Sequence, residues 1–449
     1  MVEWITQVNN TLNGIVWGWP ALILLAFVGV LTSCITRFFQ ISHLGHWMKH
    51  TIGAIFHDSE VTSHTADRSI SQFQSLCTAL AATVGTGNIV GVAGAILVGG
   101  PGAVFWMWLI AFFGMMTNYS ENVLGIFYRR KNELGEWSGG AMYYLRDGLG
   151  AKKGCKTVGK VLAAAFSVFC FLASFGIGNM TQVNSISGNV YSVFGVPTWA
   201  TGIVMLILCG LVIVGGLKRI ATVTEKIVPF MVLIYMVGTI AILVKNFAMI
   251  PAVFTAIFEG AFALKAAGGG IVGYGIKLAI EQGMKRGVFS NEAGLGSSVM
   301  VHSNSNVREP VRQGMWGIFE VFADTMVVCT LTAFTVLSSG LIDLDTGIAV
   351  TEYAGEELTK ANLVSTVFTM NFGWLGGAFV AIAIVLFAYS TVLGWSHYGS
   401  KACEYLFGAK ATKVYRIVFV LATFDGAVMG ENLAWDIADT LNGMMMIPN

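Results

Sequence analysis

Long apolar runs separated by short polar stretches dominate the chain. Ten runs are long enough to cross a bilayer: 17–39, 71–98, 102–128, 158–194, 198–215, 220–246, 268–290, 312–339, 373–407 and 412–430. The stretch 431–449 begins an eleventh. Runs 158–194 and 373–407 exceed a straight crossing, which implies tilt or an extension beyond the membrane. The pattern predicts an all-α polytopic membrane protein of about 11 transmembrane helices.

The second run is interrupted at its middle by TVGTGN, Thr83 to Asn88, between CTALAA and IVGVAGAILV. Each glycine weakens a helix by roughly 1 kcal/mol relative to alanine. An unpaired backbone group in hydrocarbon costs several kcal/mol. Such a break survives where it lines a cavity or holds a ligand, as in the discontinuous helices of secondary transporters. A second glycine-rich stretch, AAGGGIVGYG, Ala266 to Gly275, predicts a break in the seventh span. Spans two and seven cross in opposite directions. That arrangement predicts two inverted five-helix repeats, 71–246 (spans 2–6) and 247–449 (spans 7–11), behind a peripheral N-terminal helix in 1–40.

Composition agrees. Of 449 residues 55% are hydrophobic and 11% charged, against about 25% charged in soluble domains. Mean hydropathy is +0.70. A net charge of +1 leaves no nucleic-acid footprint. Seven cysteines show no CxxC or Cys/His pairing, so neither a disulfide framework nor a metal cluster is read. Residues 1–16 hold Glu3 but no Lys or Arg, so the basic start of a signal peptide is missing.

Charge sets the orientation. Arg129, Arg130, Lys131, Arg146, Lys152, Lys153, Lys156 and Lys160 cluster between spans three and four, and Lys218, Arg219 and Lys226 follow span five. Asp343, Asp345, Glu352, Glu356 and Glu357 lie on the other side. The basic loops are cytoplasmic and the N-terminus outside. Residues 137–150 and 251–267 read as short amphipathic helices at the interface, or as gates.

The first break carries the candidate chemistry. Frayed half-helix ends offer N–H groups to an anion and carbonyls to a cation. The N–H groups of Gly85, Thr86 and Gly87 suit an amino-acid carboxylate. Carbonyls of Ala81, Thr83 and Val84 with the Asn88 side chain suit sodium, a hard cation. The string from Gly85 to Gly91 is spaced GxGxxxG inside a membrane span, which excludes a dinucleotide fingerprint. Ser390 and Thr391 in span nine are cation ligands, or they bond back to the i−4 carbonyl. Trp395, one turn on, walls a small pocket or simply packs. Span four sets Asn179, Gln182 and Asn184 in apolar surroundings, where amides need partners in another helix or a substrate. Lys277, Glu281 and Lys285 form a polar stripe on span seven beside Gln282. Glu121, Glu320, Asp324 and Asp425 are intramembrane acids, candidates for a proton relay, a cation site or internal pairing. No Ser/His/Asp arrangement or GxxxxGK[ST] loop appears, which disfavours an enzyme and ATP-driven transport.

The block Thr78 to Trp108, TALAATVGTGNIVGVAGAILVGGPGAVFWMW, resembles the signature of the alanine or glycine:cation symporters, prokaryotic amino-acid carriers. Lys285–Ser297, Phe387–Gly399 and Ile437–Asn449 are similar to further blocks of that family. The resemblance implies a leucine-transporter-type core and sodium-coupled uptake of alanine or glycine, by alternating access, in a prokaryotic plasma membrane. Sodium is the coupling ion; no other cofactor is implied, and the monomer is the expected functional unit. By matching motif, Thr83 and Gly87, with Gly85 and Thr86 beside them, join the substrate site. Gln282 and Trp395 face it from the other repeat, and Asn179 and Gly273 are added as candidates. Sodium is assigned to the carbonyls of Ala81 and Val84 with Asn88 and the hydroxyls of Ser390 and Thr391. The alternatives are a proton-coupled carrier using Asp324 or Glu320, and an ion channel. Two departures stand out. VMVHSNSNVREP, Val299 to Pro310, replaces an alanine-rich helix, and the chain ends at Asn449 where relatives continue, so an incomplete last helix is expected.

Overall fold

A computed structural model describes residues 2–64, 69–262, 269–429 and 431–449. Apolar runs become helices because a helix bonds its own backbone and so tolerates hydrocarbon. The helices that frame the site are α1 (Trp19–Ile35), α2 (Gln72–Thr83), α3 (Val90–Gly99), α4 (Gly102–Tyr128), α5 (Lys156–Phe194), α6 (Thr198–Ile213) and α7 (Gly216–Lys245). They continue as α8 (Gly269–Asn291), α9 (Val299–His302), α10 (Pro310–Leu337), α11 (Trp374–Phe407), α12 (Thr412–Val428) and α13 (Glu431–Met444).

Among the described residues, six helices are long and apolar enough to cross a membrane, or seven when the bent pair α2–α3 counts as one span. Shorter apolar helices, Thr198–Ile213, Phe247–Phe262 and Leu363–Phe372, stand beside them. α6 and α12 have 16 and 17 residues, and α13 has 14. At 1.5 Å per residue, α13 covers roughly 21 Å of a core about 30 Å thick.

The outer faces are apolar. Phe230, Leu233, Val237, Ile240 and Val244 form an exposed stripe on α7, and Val414, Ile417, Val418 and Leu421 another on α12. Polar side chains turn inward: Asn88, Asn118, Asn179, Glu320 and Asp324 are fully buried. This inside-out distribution is that of a multi-pass membrane protein.

The helices pack into one interior. α4 lies along both α8 and α10, α5 along α11, and α6 along α12. Close approach depends on glycine at several crossings. A Cβ on Gly394 would stand 2.7 Å from the Ala82 Cβ, and one on Gly102 would overlap the Gly260 backbone. Within 137–150 the chain is helical from Ala141 to the end of the segment, in short α, π and 3-10 turns. A short antiparallel pairing of 130–131 with 137–138 leads into Ala141–Tyr143, whose side chains are buried. Arg146 and Tyr143 pack there against Tyr405 of α11. Of 251–267, the described part is a helix, Ile250–Phe262, with Phe254, Phe258 and Phe262 exposed along it; the rest lies outside the described residues.

The expected second break, Ala266 to Gly275, lies partly outside the described residues. Residues 266–268 lie outside the described residues, and from Gly269 the chain is helical through Gly273 as far as Asn291. The irregular backbone follows. Glu292, Gly294 and Gly296 adopt φ of 58°, 92° and 71° before α9 resumes the helix. A clustered glycine run can stay helical because its backbone bonds remain paired. Positive φ is where glycine is needed, and Gly294 and Gly296 supply it.

Candidate functional site between the two breaks

α2 and α3 meet at a bend of 59°. The bend has a local cause. The Gly85 N–H bonds the Asn88 side-chain oxygen at 2.9 Å instead of the Ala81 carbonyl, and the Asn88 N–H bonds the Gly85 carbonyl at 3.2 Å. These diversions release the Ala81 and Val84 carbonyls from the α-helical pattern. Thr83, Val84, Thr86 and Asn88 are buried, and Gly87 is half-buried.

Two clusters flank the break. On one side stands α11. Ser390 Oγ lies 3.4 Å from the Ala81 carbonyl and bonds the Phe387 carbonyl at 2.8 Å, which Thr391 Oγ1 also bonds at 2.9 Å. A Cβ on Gly85 would collide with the Thr391 hydroxyl. Both hydroxyls thus bond back to their own helix and also face the break. Released carbonyls and two hydroxyls make an uncharged oxygen set, suited to a monovalent cation.

On the other side stands α10. Asp324 is wholly buried; its Oδ1 accepts from Asn88 Nδ2 at 2.6 Å, and its Oδ2 from Ser290 at 2.8 Å and Thr325 at 2.7 Å. Cys329 Sγ is 3.3 Å from both Asn88 Nδ2 and Ser290 Oγ. Asn88 therefore belongs with Asp324, and the five-residue sodium set divides between the two flanks.

The substrate candidates also divide. Thr86 donates to Gln182 Oε1 at 3.0 Å, and Gln182 Nε2 bonds the Ile177 carbonyl at 3.0 Å. Ile177 sits in the loosened turn Gly176–Met180 of α5. A Cβ on Gly87 would lie 3.5 Å from the Phe289 ring. Trp395 is 1% exposed and so close to α5 that a Cβ on Gly178 would run into it. Thr83 bonds back to the Ala79 carbonyl at 3.3 Å. Asn179 turns away: its amide bonds the Phe419 carbonyl of α12 at 2.7 Å. Gln282 stands roughly 10 Å of helix before Phe289, and Gly273 roughly 25 Å before Ser290; the contacts to the first break come from Phe289 and Ser290. Lys277 pairs with Glu281 at 3.8 Å, whereas Lys285 pairs with Asp439 of α13.

Sequence reasoning left Gln182 unranked and missed Phe289 and Ser290. Gln182 carried a signal, an amide beside glycines in an apolar run. Ser290 carried none, since a serine near a helix end is ordinary. Among the described residues no group of His, Cys, Asp and Glu is arranged to hold a metal ion in the manner of a resident cofactor.

A bent, glycine-broken helix inside an apolar bundle is the arrangement found in secondary transporters, and the comparisons identify a symporter rather than an enzyme. The phenylalanine complex of MhsT superposes with a TM-score of 0.55 at 14% identity, covering 85% of this chain and 89% of that one, which fixes a leucine-transporter-type fold. The description "Sodium:alanine symporter family" matches residues 2–449, and the chain belongs to that family. The sodium/alanine symporter AgcS of Methanococcus maripaludis is 45% identical over 98% of this chain and 92% of its own length. The putative sodium/proton-dependent alanine carrier protein YrbD of Bacillus subtilis is 36% identical over 97% and 87%.

Proposed function

We propose that this protein carries alanine or glycine into the cell together with sodium. The observation that carries the reading is the break itself, where the Ala81 and Val84 carbonyls are released from the helix, the Ala81 carbonyl faces the Ser390 hydroxyl and the Thr391 hydroxyl stands against Gly85. Sodium there bridges the first half of the broken helix to α11. The substrate carboxylate then caps N–H groups near Gly85 to Gly87, and Trp395 with Phe289 limits the side chain to a methyl group or hydrogen. Asp324, tied to both breaks through Asn88 and Ser290, holds them in register. Transport proceeds by alternating access, with the inverted repeats 71–246 and 247–449 rocking about the site and residues 1–40 peripheral. The protein works as a monomer in a prokaryotic plasma membrane with its N-terminus outside. The names of the relatives above support alanine and sodium.

The test is uptake of radiolabelled alanine into proteoliposomes with and without an inward sodium gradient. Accumulation driven by the gradient is the expected result. Accumulation driven equally by a pH gradient without sodium overturns the coupling ion. Currents far above carrier turnover in the absence of amino acid favour a channel.

A further inference from the structure

The junction of α6 with α7, the last turns of α11 and the start of α12 enclose a cavity of about 290 Å³ at the basic end of the bundle. Its cations are Lys218, Lys401 and Arg416, and its acids Glu136 and Glu404. One pair is already matched. Lys401 Nζ meets Glu404 at 2.9 Å and donates to the Trp137 carbonyl at 3.0 Å and to Ser138 Oγ at 3.2 Å. Glu404 also accepts from Asn132 Nδ2 at 3.2 Å and from Ser138. Arg416 differs. Its guanidinium lies against the bare Gly216, where a Cβ would stand 3.0 Å from Nη1, and it has no carboxylate or carbonyl acceptor among the described residues. Ser400, which also lines the cavity, differs as well. Ser390, Thr391 and Ser396 bond back to carbonyls of α11, whereas the Ser400 hydroxyl makes no hydrogen bond among the described residues. A half-buried guanidinium without a counter-ion loses hydration and gains nothing in exchange. An anion in the cavity restores the balance, and a phosphate matches the guanidinium fork with two parallel bonds.

Charge and exposure around the cavity select the anion. Residues 211–224 and 405–424, which form the junction and the start of α12, hold Lys218, Arg219, Lys410, Lys413 and Arg416 and no acid. Directly beside these cations the protein turns an apolar face outward. Leu211 and Val214 at the end of α6, and Val414, Ile417 and Val418 on α12, are all exposed, and the two helices pack along each other. In a multi-pass membrane protein such a face is covered by acyl chains. A basic pocket between helices at the edge of a lipid-facing surface is the setting in which anionic headgroups bind. A phosphate carried on a lipid satisfies the cavity and the apolar face together, which a free anion does not.

We propose that this cavity binds the phosphate of an anionic glycerophospholipid, with Arg416 and Ser400 as donors, Lys218 at the rim, and the acyl chains along the exposed faces of α6 and α12. A bound headgroup joins the α6–α7 junction, α11 and α12, which otherwise meet around an unfilled space. The cavity also touches the transport core. Asn304 and His397 are part of its lining; Asn304 Nδ2 faces His397 Nε2 at 3.3 Å, and the Asn304 carbonyl accepts the Ile70 N–H at 3.1 Å just before α2. The site is independent of the symport reading: the lipid binds there whether or not the protein carries alanine with sodium.

The experiment measures lipid retained by the purified full chain in detergent, by native mass spectrometry, during titration with phosphatidylglycerol or phosphatidylcholine. The wild type should prefer phosphatidylglycerol about tenfold, and its Tm should rise with that lipid but not with phosphatidylcholine. R416Q should lose most of the preference while binding phosphatidylcholine as before. R416K, which keeps the charge without the fork, should fall between the two. S400A should weaken phosphatidylglycerol binding about threefold. Equal retention of the two lipids by the wild type, or an R416Q protein that keeps the preference, overturns the proposal. Inorganic phosphate is the third titrant. If it raises the Tm of the wild type as phosphatidylglycerol does and displaces that lipid, the occupant is a free anion and the lipid assignment falls. If R416Q does not fold, S400A and K218Q carry the test: an unchanged preference in both overturns the proposal.

Discussion

The two flanks of the first break solve one problem by different means. On the α11 side, Ser390, Thr391 and the released carbonyls of Ala81 and Val84 are all uncharged, and the two hydroxyls keep bonds to their own helix. On the α10 side, Asp324 concentrates charge and is tied by short bonds to Asn88, Ser290 and Thr325. A set of neutral oxygens with spare capacity exchanges an ion cheaply. A buried carboxylate with three donors is a structural knot, since taking away one partner leaves the others unpaired in a dry interior. On the proposed reading the first flank serves ion turnover, and the second holds the broken helix and the second break in register.

The largest effect should come from cutting the knot. Asp324→Ala leaves the Asn88 amide and the Ser290 and Thr325 hydroxyls without their acceptor, a loss of about 3–5 kcal/mol by analogy with broken buried networks. Thermal unfolding in detergent should show a marked fall in Tm, with uptake abolished. A stable D324A protein that still transports would show that the two flanks are interchangeable. Next is Gly85→Ala. The added methyl meets the Thr391 hydroxyl, and forcing it in should cost roughly 1–3 kcal/mol. Removing the obstructing hydroxyl and methyl in the double variant G85A/T391A should recover part of that stability. Equal losses in G85A with and without T391A would mean that the contact is relieved elsewhere.

Much of this was legible in the sequence, and the misses have physical causes. TVGTGN announced itself because two glycines and three polar side chains interrupt an apolar run, and the structure bends there. Asp324 stood out as an intramembrane acid, but its partner Asn88 is 236 residues away, a pairing that no local pattern encodes. The second break was sought where glycines are densest, at Ala266 to Gly275. Its described part is helix, because a glycine run in a membrane still gains by bonding its own backbone. The irregular stretch instead uses Gly294 and Gly296, singly spaced, at positive φ. The stretch 431–449 reads as the start of an incomplete helix, and α13 has 14 residues. Asn179 read as a site amide because an amide in an apolar run must bond something, and sequence cannot say what.

Smaller effects sharpen the contrast between ion handling and packing. Thr391→Ala removes one neutral ligand and one back-bond, and the back-bond costs little to lose. Sodium half-saturation should rise about tenfold, equivalent to about 1.4 kcal/mol, while the ratio of alanine to glycine uptake stays put. A change confined to that ratio would move Thr391 from the cation to the substrate. Asn179 should give the smallest response in transport. Its amide donates to the Phe419 carbonyl, and its own carbonyl oxygen is buried without a partner. Asn179→Leu thus deletes one bond and one unsatisfied acceptor together, two terms of opposite sign and each about 1 kcal/mol. The Tm should shift by little in either direction, and KM for alanine should be unchanged. A several-fold rise in KM with normal stability would instead put the Asn179 oxygen against the substrate ammonium, and would extend the site beyond the two flanks to α5.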